Sequence, residues 1–405
     1  MALTLDNSYF IVLGASIDQK ISIITANRLG FKTLVFDKNP DAECKNYASK
    51  FFSCSSTDFN NIKKKIKKYK NEIKGVIAQG SDIPKTVSKI EKYLKIKDRV
   101  PLKSAIICTD KKLMKDFFIK KKIPTPKQYY NIRSIKKIKF PVVVKPVDMS
   151  GAKGVFLCAN KDEVDKFYKK SKNISIKKKV IIEEFYKGPQ LSTETLIINK
   201  KCFTIGFAER NYKDTLSFYP NILENGGIQP AQKFIKYKDS INKSIMQIAK
   251  GLNINNGVIK SDIVLKNKNF FFIEIALRLS GGDFSETLIP KSTGVNIIKC
   301  AIKNAAGLKV NDHELKEKKN KLFIANRYFF SDRDINLNKK LSIKKIKNYK
   351  WLEKIQLNKS KKISRTRSHR DRFGVFIVSA QSISSLNRRI KIIYSKFKFN
   401  VRKYT

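Results

Sequence analysis

The first hundred residues alternate between short apolar runs and helical patterns, and this alternation limits the folds that the chain can adopt. The strands and helices of the pattern cover, in order, Tyr9–Leu13, 17–29, 32–36, 59–69, 75–78 and 83–94. Strands that alternate with helices need crossover connections, which place neighbouring strands parallel in one sheet. We therefore expect residues 1–102 to form an N-terminal α/β domain around a parallel sheet.

The first turn of this domain, the segment GASID that begins at Gly14, argues against a dinucleotide site. A dinucleotide-binding turn has three glycines, which allow a tight turn and a close approach of the pyrophosphate to the backbone. The second and third of these glycines are absent here, so we do not expect an NAD cofactor.

The pattern changes at Pro101 and again at the proline-rich linker 123–126. The elements that we expect after Pro101 are a helix at 110–120 and strands at 140–147, 180–185, 190–198, 261–265 and 270–277. From about residue 309 the chain becomes polar, and its last segment has mixed α and β character. We expect a central domain over 103–310 and a small C-terminal α+β subdomain over 311–405.

The formal net charge of +52 comes from 86 Lys and Arg residues against 34 Asp and Glu residues. Such an excess is typical of proteins that bind nucleic acids or anionic membranes. However, only 14 of these cations are arginine, the residue best suited to bidentate contacts with phosphate and guanine. The chain is also rich in Ile, Asn and Phe. Together with lysine, these are the residues that an AT-biased coding sequence would give. We therefore expect no specific nucleic acid partner, while non-specific binding of polyanions stays open.

The six cysteines and the N-terminus favour a cytoplasmic protein. The cysteines form no C-x-x-C pair, which excludes zinc-ribbon and thioredoxin-like sites and favours free thiols. The N-terminus lacks the cationic segment of a signal peptide, and no apolar run approaches the ~20 residues of a membrane span. We expect no membrane span.

Two acidic positions in the hairpin pattern, Asp262 and Glu274, are candidate metal ligands. With a three-residue loop at 267–269, Asp262 lies opposite Glu274, which brings the carboxylates to within ~5 Å of each other. Like charges at that distance repel unless a proton or a cation lies between them, and Mg²⁺ accepts such a pair. Arg278 shares a face with Glu274 and can neutralise an anionic substrate. The alternative is a surface strand on which Glu274 pairs with Arg278.

Lys145 and the glycine-containing loop after it are candidates for a phosphate site. Lys145 ends the apolar run 141–144, and a lysine at the end of a buried strand must reach an anion or open solvent. The loop 149–154 supplies flexible backbone whose N–H groups can approach phosphate. An ordinary strand-to-loop transition would show the same pattern.

Six segments, taken together and in this order, resemble the ATP-grasp superfamily, specifically its carboxylate–amine or carboxylate–thiol ligases related to biotin carboxylase and carbamoyl-phosphate synthetase. The segments are YFIVLGAS, CTDKKLMKDFFIKKKIPTP, FPVVVKPVDMSGAKGV, VIIEEFYKGPQLSTE, FIEIALRLSGGDFSETLIPKSTGVN and SHRDRFGVFIV. The resemblance implies an α/β and α+β fold in three parts. These are a Rossmann-like pre-ATP-grasp domain, an ATP-grasp domain with a mobile lid at about 125–187, and a C-terminal subdomain associated with it.

The resemblance also implies which residues bind ATP. Lys111 and Lys145 are similar to the two lysines that hold the phosphates, and Lys145 is a catalytic candidate as well. Ser150, Gly151 and Gly154 belong to a loop that resembles the one that closes over the triphosphate. This closure would keep water away from a reactive intermediate.

The adenine and ribose contacts are implied in the same way. The hinge whose backbone edge would bind adenine comprises Glu183, Glu184, Phe185 and Tyr186. Gln190 stands where the family usually places a glutamate on the ribose hydroxyls, and a glutamine can still form hydrogen bonds there.

Asp262 and Glu274 match the two acidic metal-ligand positions of the family, and Arg278 matches the catalytic arginine that faces the acyl phosphate and the substrate. The family usually has an asparagine two residues after the second carboxylate, whereas this chain has Ala276. One oxygen ligand of a second metal ion is therefore missing. One or two Mg²⁺ ions are compatible with the sequence, and Mn²⁺ can substitute.

Substrate contacts are expected in glycine-rich segments. Glu224 lies in a loop, followed by Gly227, that resembles family loops near the acceptor site; its carboxylate either orients an ammonium group or caps a turn. Backbone N–H groups that follow Arg278 are candidates to bind a carboxylate, and they belong to Ser280, Gly281 and Gly282. Further candidates are the segment 80–82 and Arg372.

The implied activity is an ATP-dependent, ADP-forming ligation. A small-molecule carboxylate would be activated as an acyl phosphate and attacked by an amine, so small acids and amines are the expected partners, and a homodimer is compatible with the family. Two alternatives stay open at this point. One is an ATP-grasp protein that binds nucleotide without turnover and acts as a regulator or scaffold, which Ala276 motivates. The other is a polyanion-binding basic protein.

Overall fold

The computed structural model describes residues 8–97, 100–129, 138–318, 322–336, 346, 348–357, 360 and 362–397. Its helices are α1 (Lys20–Arg28), α2 (Phe59–Ile66), α3 (Pro84–Tyr93), α4 (Leu102–Ile107), α5 (Lys111–Lys120), α6 (Lys161–Ile174), α7 (Lys238–Gly251), α8 (Ile289–Thr293), α9 (Ile297–Ala305), α10 (Asp312–Leu315) and α11 (Ile383–Lys396).

The described residues also contain eighteen strands. They are β1 (Tyr9–Leu13), β2 (Lys32–Asp37), β3 (Lys50–Ser53), β4 (Ile73–Ala78), β5 (Gln128–Tyr129), β6 (Val142–Pro146), β7 (Phe156–Cys158), β8 (Val180–Glu184), β9 (Gln190–Ile198), β10 (Lys201–Arg210), β11 (Gly227–Gln229), β12 (Gly257–Lys266), β13 (Asn269–Ala276), β14 (Phe323–Phe329), β15 (Ile335–Asn336), β16 (Leu352–Leu357), β17 (Lys362–Ile363) and β18 (Gly374–Ala380).

The N-terminal segment forms the parallel sheet that its alternating pattern predicts. Its four strands lie in the order β3-β2-β1-β4, and each neighbouring pair is parallel. Strand β1 lies inside the sheet, and Phe10, Ile11, Val12 and Leu13 are completely buried. A parallel strand is covered on both faces, which explains why this strand reads as an unbroken apolar run.

A large sheet of eight strands extends through the rest of the molecule in the order β13-β12-β9-β10-β11-β14-β18-β16. Its strands come from both the central segment and the C-terminal segment, because β11 pairs with β14. Helices α7 and α9 pack against this sheet. The C-terminal strands therefore continue the central sheet, and no gap in the sheet separates the two parts at residue 310.

A second small sheet, β5-β8-β6-β7, lies entirely within the segment 125–187 that the sequence suggested as a lid. Helix α6 packs on β6 and β7, with Val164 and Phe167 in the apolar core between them. We call this unit the lid; its residues 130–137 lie outside the described residues.

The N-terminal sheet meets the central domain at a backbone bridge between Gln79 and Leu279. The N–H of Gly80 donates to the Leu279 carbonyl at 3.0 Å. The Gln79 side chain is completely buried and donates to a carboxylate oxygen of Glu286 at 3.1 Å. This junction comes directly after Arg278, so it fixes the N-terminal domain beside the predicted catalytic arginine.

The helices and cysteines of the described residues bear on two further expectations. No helix in these ranges is both long and apolar enough to cross a membrane. All six cysteines are free thiols, and only Cys202 is not buried.

Two tight hairpin turns place a lysine in the left-handed backbone region. Asn199 and Lys200 connect β9 to β10, while Asn267 and Lys268 connect β12 to β13, and all four residues have positive φ values of 48° to 69°. Two-residue turns of this kind favour Asn-Gly, because glycine adopts positive φ without a steric penalty.

We predict that Lys200→Gly and Lys268→Gly each stabilise the protein by up to about 1 kcal/mol, since glycine relieves the left-handed strain. The matched control is Lys201→Gly, which should destabilise by about 0.5–1 kcal/mol because Lys201 lies in β10. Urea denaturation of the three variants measures this difference. A loss of stability in both turn variants would contradict the interpretation.

Candidate active site

A cleft of about 1040 Å³ lies between the lid, the central sheet and the N-terminal domain. The sequence-predicted residues that line it are Lys111, Lys145, Ser150, Gly151, Glu183, Glu184, Phe185, Tyr186, Gln190, Glu224, Asp262, Glu274, Arg278, Ser280, Gly281 and Gly282. These residues are up to 171 positions apart in the chain, and the fold brings them to one place.

Gly154 and Gly227 support the cleft rather than line it. Gly154 has a φ of 76°, and a Cβ there would lie 3.1 Å from Ile174 on helix α6. Gly227 lies in β11, where its N–H donates to Asn326 Oδ1 at 2.8 Å and its carbonyl accepts from Arg327 at 2.9 Å. Both glycines allow close packing, and the backbone N–H and carbonyl of Gly227 are already hydrogen-bonded within the protein.

Lys111 and Lys145 approach the cleft from different elements. Asp110 caps helix α5 by accepting from the N–H groups of residues 112 and 113, which places Lys111 at its first turn. The Lys111 ammonium donates to the Met149 carbonyl at 2.7 Å and lies 3.4 Å from Glu274 Oε2. Lys145, near the end of β6, lies 2.8 Å from Glu183 Oε2. Both ammonium groups therefore point toward the loop 149–154 or the acidic residues beside it.

A second lysine, which sequence reasoning missed, shares Glu183 with Lys145. The Lys115 side chain is completely buried; its ammonium lies 3.3 Å from Glu183 Oε1 and donates to Thr125 Oγ1 at 2.7 Å. Burial lowers the pKa of Lys115 to about 8, against the opposing effect of Glu183. Burial raises the pKa of Glu183, but Lys115 and Lys145 outweigh it, so the net shift is downward. The only sequence signal for Lys115 was its position one helical turn after Lys111.

The sequence predicts that residues 183–186 form a hinge whose backbone edge binds adenine, and the structure shows what these residues contact. The Glu183 carboxylate belongs to the lysine cluster, and the N–H groups of Glu184 and Phe185 donate to backbone carbonyls of Lys127 and Pro141. Tyr186 lines the cleft, and its ring lies between Phe271 and Lys266. The Lys266 ammonium lies 3.7 Å from the centre of the Tyr186 ring. This part of the cleft thus has a flat aromatic wall of the type that adenine stacks on.

Strands β12 and β13 place Asp262 directly opposite Glu274, as expected, although the loop length was wrong. The loop has two residues instead of three, and a β-bulge at Ile273 adds one residue to β13 before Glu274. The loop error and the bulge cancel, so the two carboxylates still meet.

Two lysines neutralise these carboxylates. Asp262 forms an ion pair with Lys260 and accepts a hydrogen bond from Ser192, while Glu274 faces Lys111. Burial raises the pKa of Glu274, but Lys111, Lys260 and Lys145 outweigh it and bring the value to about 2. Within the described ranges, no group of three or more His, Cys, Asp or Glu side chains is arranged to hold a metal ion. A carboxylate pair beside a phosphate site nevertheless fits Mg²⁺, which takes one or two carboxylates together with water and substrate phosphates.

Arg278 is oriented by the N-terminal domain. Its Nε lies 2.6 Å from Asp82 Oδ1, and its Nη1 donates to the Leu279 carbonyl at 3.2 Å. The segment 80–82 therefore borders the cleft, as the sequence suggested, and Asp82 contacts the arginine directly.

The glycine segment after Arg278 differs from the expectation that its N–H groups bind a substrate carboxylate. The N–H of Ser280 donates to Glu194 Oε2 at 2.9 Å, and that of Gly282 donates to Asp18 Oδ1 at 3.4 Å. A Cβ on Gly281 would lie 2.7 Å from the Asp18 carboxylate. The N–H groups of Ser280 and Gly282 are thus directed at carboxylates of the protein itself.

Glu224 lies at the far end of the cleft, between two arginines. Its Oε2 lies 2.5 Å from Arg210 Nη2 and 3.7 Å from Arg372 Nη2, and Arg372 also donates to the Glu224 carbonyl. Burial raises the pKa of Glu224, but Arg210 and Arg372 outweigh it and bring the value to about 2. Its Oε1 is buried without a hydrogen-bond partner among the described residues. Of the two interpretations of Glu224, the geometry favours a charged ligand contact over a turn cap.

His369, to which sequence reasoning gave no role, connects this end of the cleft to the loop 149–154. We call that loop the phosphate loop, after the role that the sequence predicts for it. The His369 backbone N–H donates to the Gly151 carbonyl at 3.1 Å, and its ring Nε2 accepts from the Glu224 N–H at 3.2 Å. On the lid side, the N–H of Leu157 donates to the Pro220 carbonyl at 2.8 Å. We call residues 219–226 the acceptor loop; it is joined to the lid at one end and to His369 at the other.

Comparison with known proteins shows which families this chain resembles in sequence. The family model described as carbamoyl-phosphate synthase L chain, ATP binding domain, matches residues 111–313, half of the chain. A D-alanine–D-alanine ligase from Fusobacterium nucleatum is 30% identical over 172 residues, which cover 42% of this chain and 55% of that protein. The chain thus spans about half the length of that curated relative.

Solved structures share the fold over nearly the whole chain. An L-amino acid ligase from Bacillus licheniformis has a TM-score of 0.78 at 16% identity and covers 96% of this chain and 97% of its own. The biotin carboxylase domain dimer of the Hydrogenobacter thermophilus 2-oxoglutarate carboxylase, in complex with MgADP, ADP and bicarbonate, has a TM-score of 0.72 at 14% identity. The match with this domain covers 96% of the present chain and 90% of the Hydrogenobacter chain. At these identities the likeness shows the fold alone.

We predict that Glu183→Gln destabilises the protein more than Lys115→Met does. The first change leaves two buried ammonium groups without a counter-charge and should cost about 3–5 kcal/mol. The second leaves the Glu183–Lys145 pair neutral and should cost less than about 2 kcal/mol. Free energies of unfolding from urea denaturation test this order, and a larger loss in Lys115→Met would refute the proposed charge balance.

Proposed function

Because this chain belongs to the ATP-grasp family described as carbamoyl-phosphate synthase L chain, ATP binding domain, we propose that it is an ATP-dependent, ADP-forming ligase. It would activate a small-molecule carboxylate and join it to an amine. The observation that carries this proposal is that Lys111, Lys145 and Arg278 line one cleft together with the opposed carboxylates of Asp262 and Glu274.

The cleft offers a separate place to each part of ATP. The triphosphate would lie between Lys111, Lys145 and the loop that contains Ser150 and Gly151, where cationic and backbone donors converge. The adenine would lie toward Tyr186, and Gln190 at the start of β9 would reach the ribose. Division into an N-terminal domain, a central domain with the lid, and a C-terminal subdomain remains part of this proposal.

Asp262 and Glu274 would hold Mg²⁺ or Mn²⁺ next to the phosphates. A bound ion of this kind would neutralise charge on the transferring phosphoryl group. The protein residues contribute independently of it: Lys111 and Lys145 attract the phosphates, and Ser192 fixes the orientation of Asp262.

The reaction would proceed in two steps. A carboxylate oxygen of the substrate attacks the γ-phosphorus of ATP, and ADP leaves. The amine then attacks the acyl carbon, phosphate departs, and the amine loses a proton. Arg278 would stabilise the negative charge that builds up at the acyl group, while Asp82 holds its guanidinium in place.

Glu224 would select the substrate. Its unpaired Oε1 is suited to an ammonium group, and Arg210 and Arg372 beside it leave one positive charge for a carboxylate. A small amino acid satisfies both requirements. A homodimer, a cytoplasmic location and the absence of a specific nucleic acid partner complete the proposal.

We predict that the protein releases ADP and phosphate only when Mg²⁺ and a suitable carboxylate are present, as measured with a panel of amino acids and other small acids. Arg278→Ala should lower kcat/KM by about 100-fold or more, because it removes charge stabilisation made in the transition state. Arg388→Ala, on the exposed face of α11, is the matched control and should leave turnover unchanged.

Two other outcomes would overturn this assignment. Tight binding of ATP without ADP formation across the whole panel would support a nucleotide-binding regulator or scaffold. Binding of heparin or RNA that disappears at moderate salt, together with no ATP binding, would leave non-specific electrostatics as the only property of the cleft.

We also predict that His369→Ala uncouples ATP hydrolysis from ligation, because the Glu224 N–H loses its acceptor and the acceptor loop shifts relative to the phosphate loop. ADP formed without ligated product should rise several-fold, since water reaches the acyl phosphate. His369→Gln retains an acceptor oxygen and should restore most of the coupling. Equal uncoupling in both variants would show that the ring nitrogen has no positioning role.

A further inference from the structure

Lys260 occupies a defined place in the carboxylate site. It lies two residues before Asp262 on β12, so both side chains share one face of the strand. In the β12–β13 register, Lys260 is opposite Ala276, just as Asp262 is opposite Glu274. Lys260, Asp262 and Glu274 all line the cleft.

The Lys260 ammonium is directed at the carboxylate pair. It forms an ion pair with Asp262 Oδ2, and its side chain is 17% exposed. Its charge also acts on Glu274 and Asp82, whose pKa values it lowers.

The oxygen atoms of Asp262 already have protein partners, which limits how many divalent ions this face can hold. Asp262 Oδ1 accepts from Ser192, and Asp262 Oδ2 pairs with Lys260. Ala276, across from Lys260, contributes no donor atom. A second divalent ion at this pair would lie beside the ammonium of Lys260, and the two like charges would repel each other.

We propose that Lys260 takes the place of a second divalent cation, so that this protein works with one Mg²⁺ and the Lys260 ammonium beside it. The inference rests on the proposed function, because it assumes that Asp262 and Glu274 hold metal with a nucleotide. The ammonium then stays on the phosphate side of the site throughout turnover, and Ala276 leaves the space that its side chain needs.

The test is the number of Mn²⁺ ions bound per chain with ADP or with the β,γ-imido analogue of ATP, measured by electron paramagnetic resonance and calorimetry. The wild-type protein should bind one ion, and Ala276→Asn should also bind one because the ammonium remains. The double variant Lys260→Met/Ala276→Asn should bind two. Lys260→Arg keeps the charge and should bind one, and Lys268→Met, in the exposed turn, is the matched control.

Nucleotide affinity gives a second readout. Lys260→Met alone should bind the Mn²⁺–nucleotide complex at least fivefold more weakly than the wild type, whereas Lys260→Arg should retain the affinity. Circular dichroism and thermal unfolding verify that each variant is folded.

Each result is decisive. Two Mn²⁺ ions in the nucleotide-bound wild type, or a single ion in the double variant, would overturn the inference and leave the proposed function intact. No binding of nucleotide by the folded wild type would refute the proposed function and this inference with it.

Discussion

Glu183 holds two lysines in a space that solvent scarcely reaches, and the phosphate site depends on this interaction. A buried ammonium is stable only beside an anion, and the Glu183 carboxylate lies 2.8 Å from the Lys145 ammonium. Glu183 and Lys145 come from neighbouring strands of the lid, while Lys115 comes from helix α5 outside it. The same carboxylate thus pairs with Lys145 in the lid and with Lys115 outside it, so this ion-pair cluster joins the lid to the central domain.

The second charge balance lies on the β12–β13 hairpin. Asp262 and Glu274 would repel each other across the strands, but Lys260 and Lys111 neutralise them without any bound ion. The donors of the site are therefore held in place before a ligand arrives. Because electrostatic stabilisation is most effective when groups need not reorganise, this arrangement suits phosphoryl transfer.

Much of the fold could be predicted from the sequence, since periodicity and order carry it. The parallel N-terminal sheet and the lid strands follow from apolar runs that strands must bury. The pairing of Asp262 with Glu274 was right although the predicted loop was wrong, because neither the two-residue turn nor the bulge at Ile273 has a clear sequence signal. The joining of the C-terminal strands to the central sheet through β11 and β14 depends on contacts between distant segments, which periodicity cannot reveal.

Some cleft residues could be predicted from the sequence, and others could not. Residues in contiguous motifs, such as Lys145 and Arg278, were identified because neighbours in the chain define them. Lys115 and His369 were missed because their partners lie far away in the chain, whereas Lys260 was missed although its partner Asp262 is only two residues away on the same strand. Lysine identity was uninformative in a chain with so many lysines.

In this chain the positions of the few carboxylates, more than those of the many lysines, determine where ion pairs form. With 86 basic residues and 34 acidic ones, an ion pair is limited by the supply of carboxylates. A lysine in the interior or in the cleft is therefore found where a carboxylate holds it, as Glu183 holds Lys115 and Asp262 holds Lys260. An exposed lysine requires no such partner, because water solvates it, and surface pairs add little stability. The net charge of +52 consequently describes the surface, while the chemistry of the cleft is determined by the few carboxylates within it.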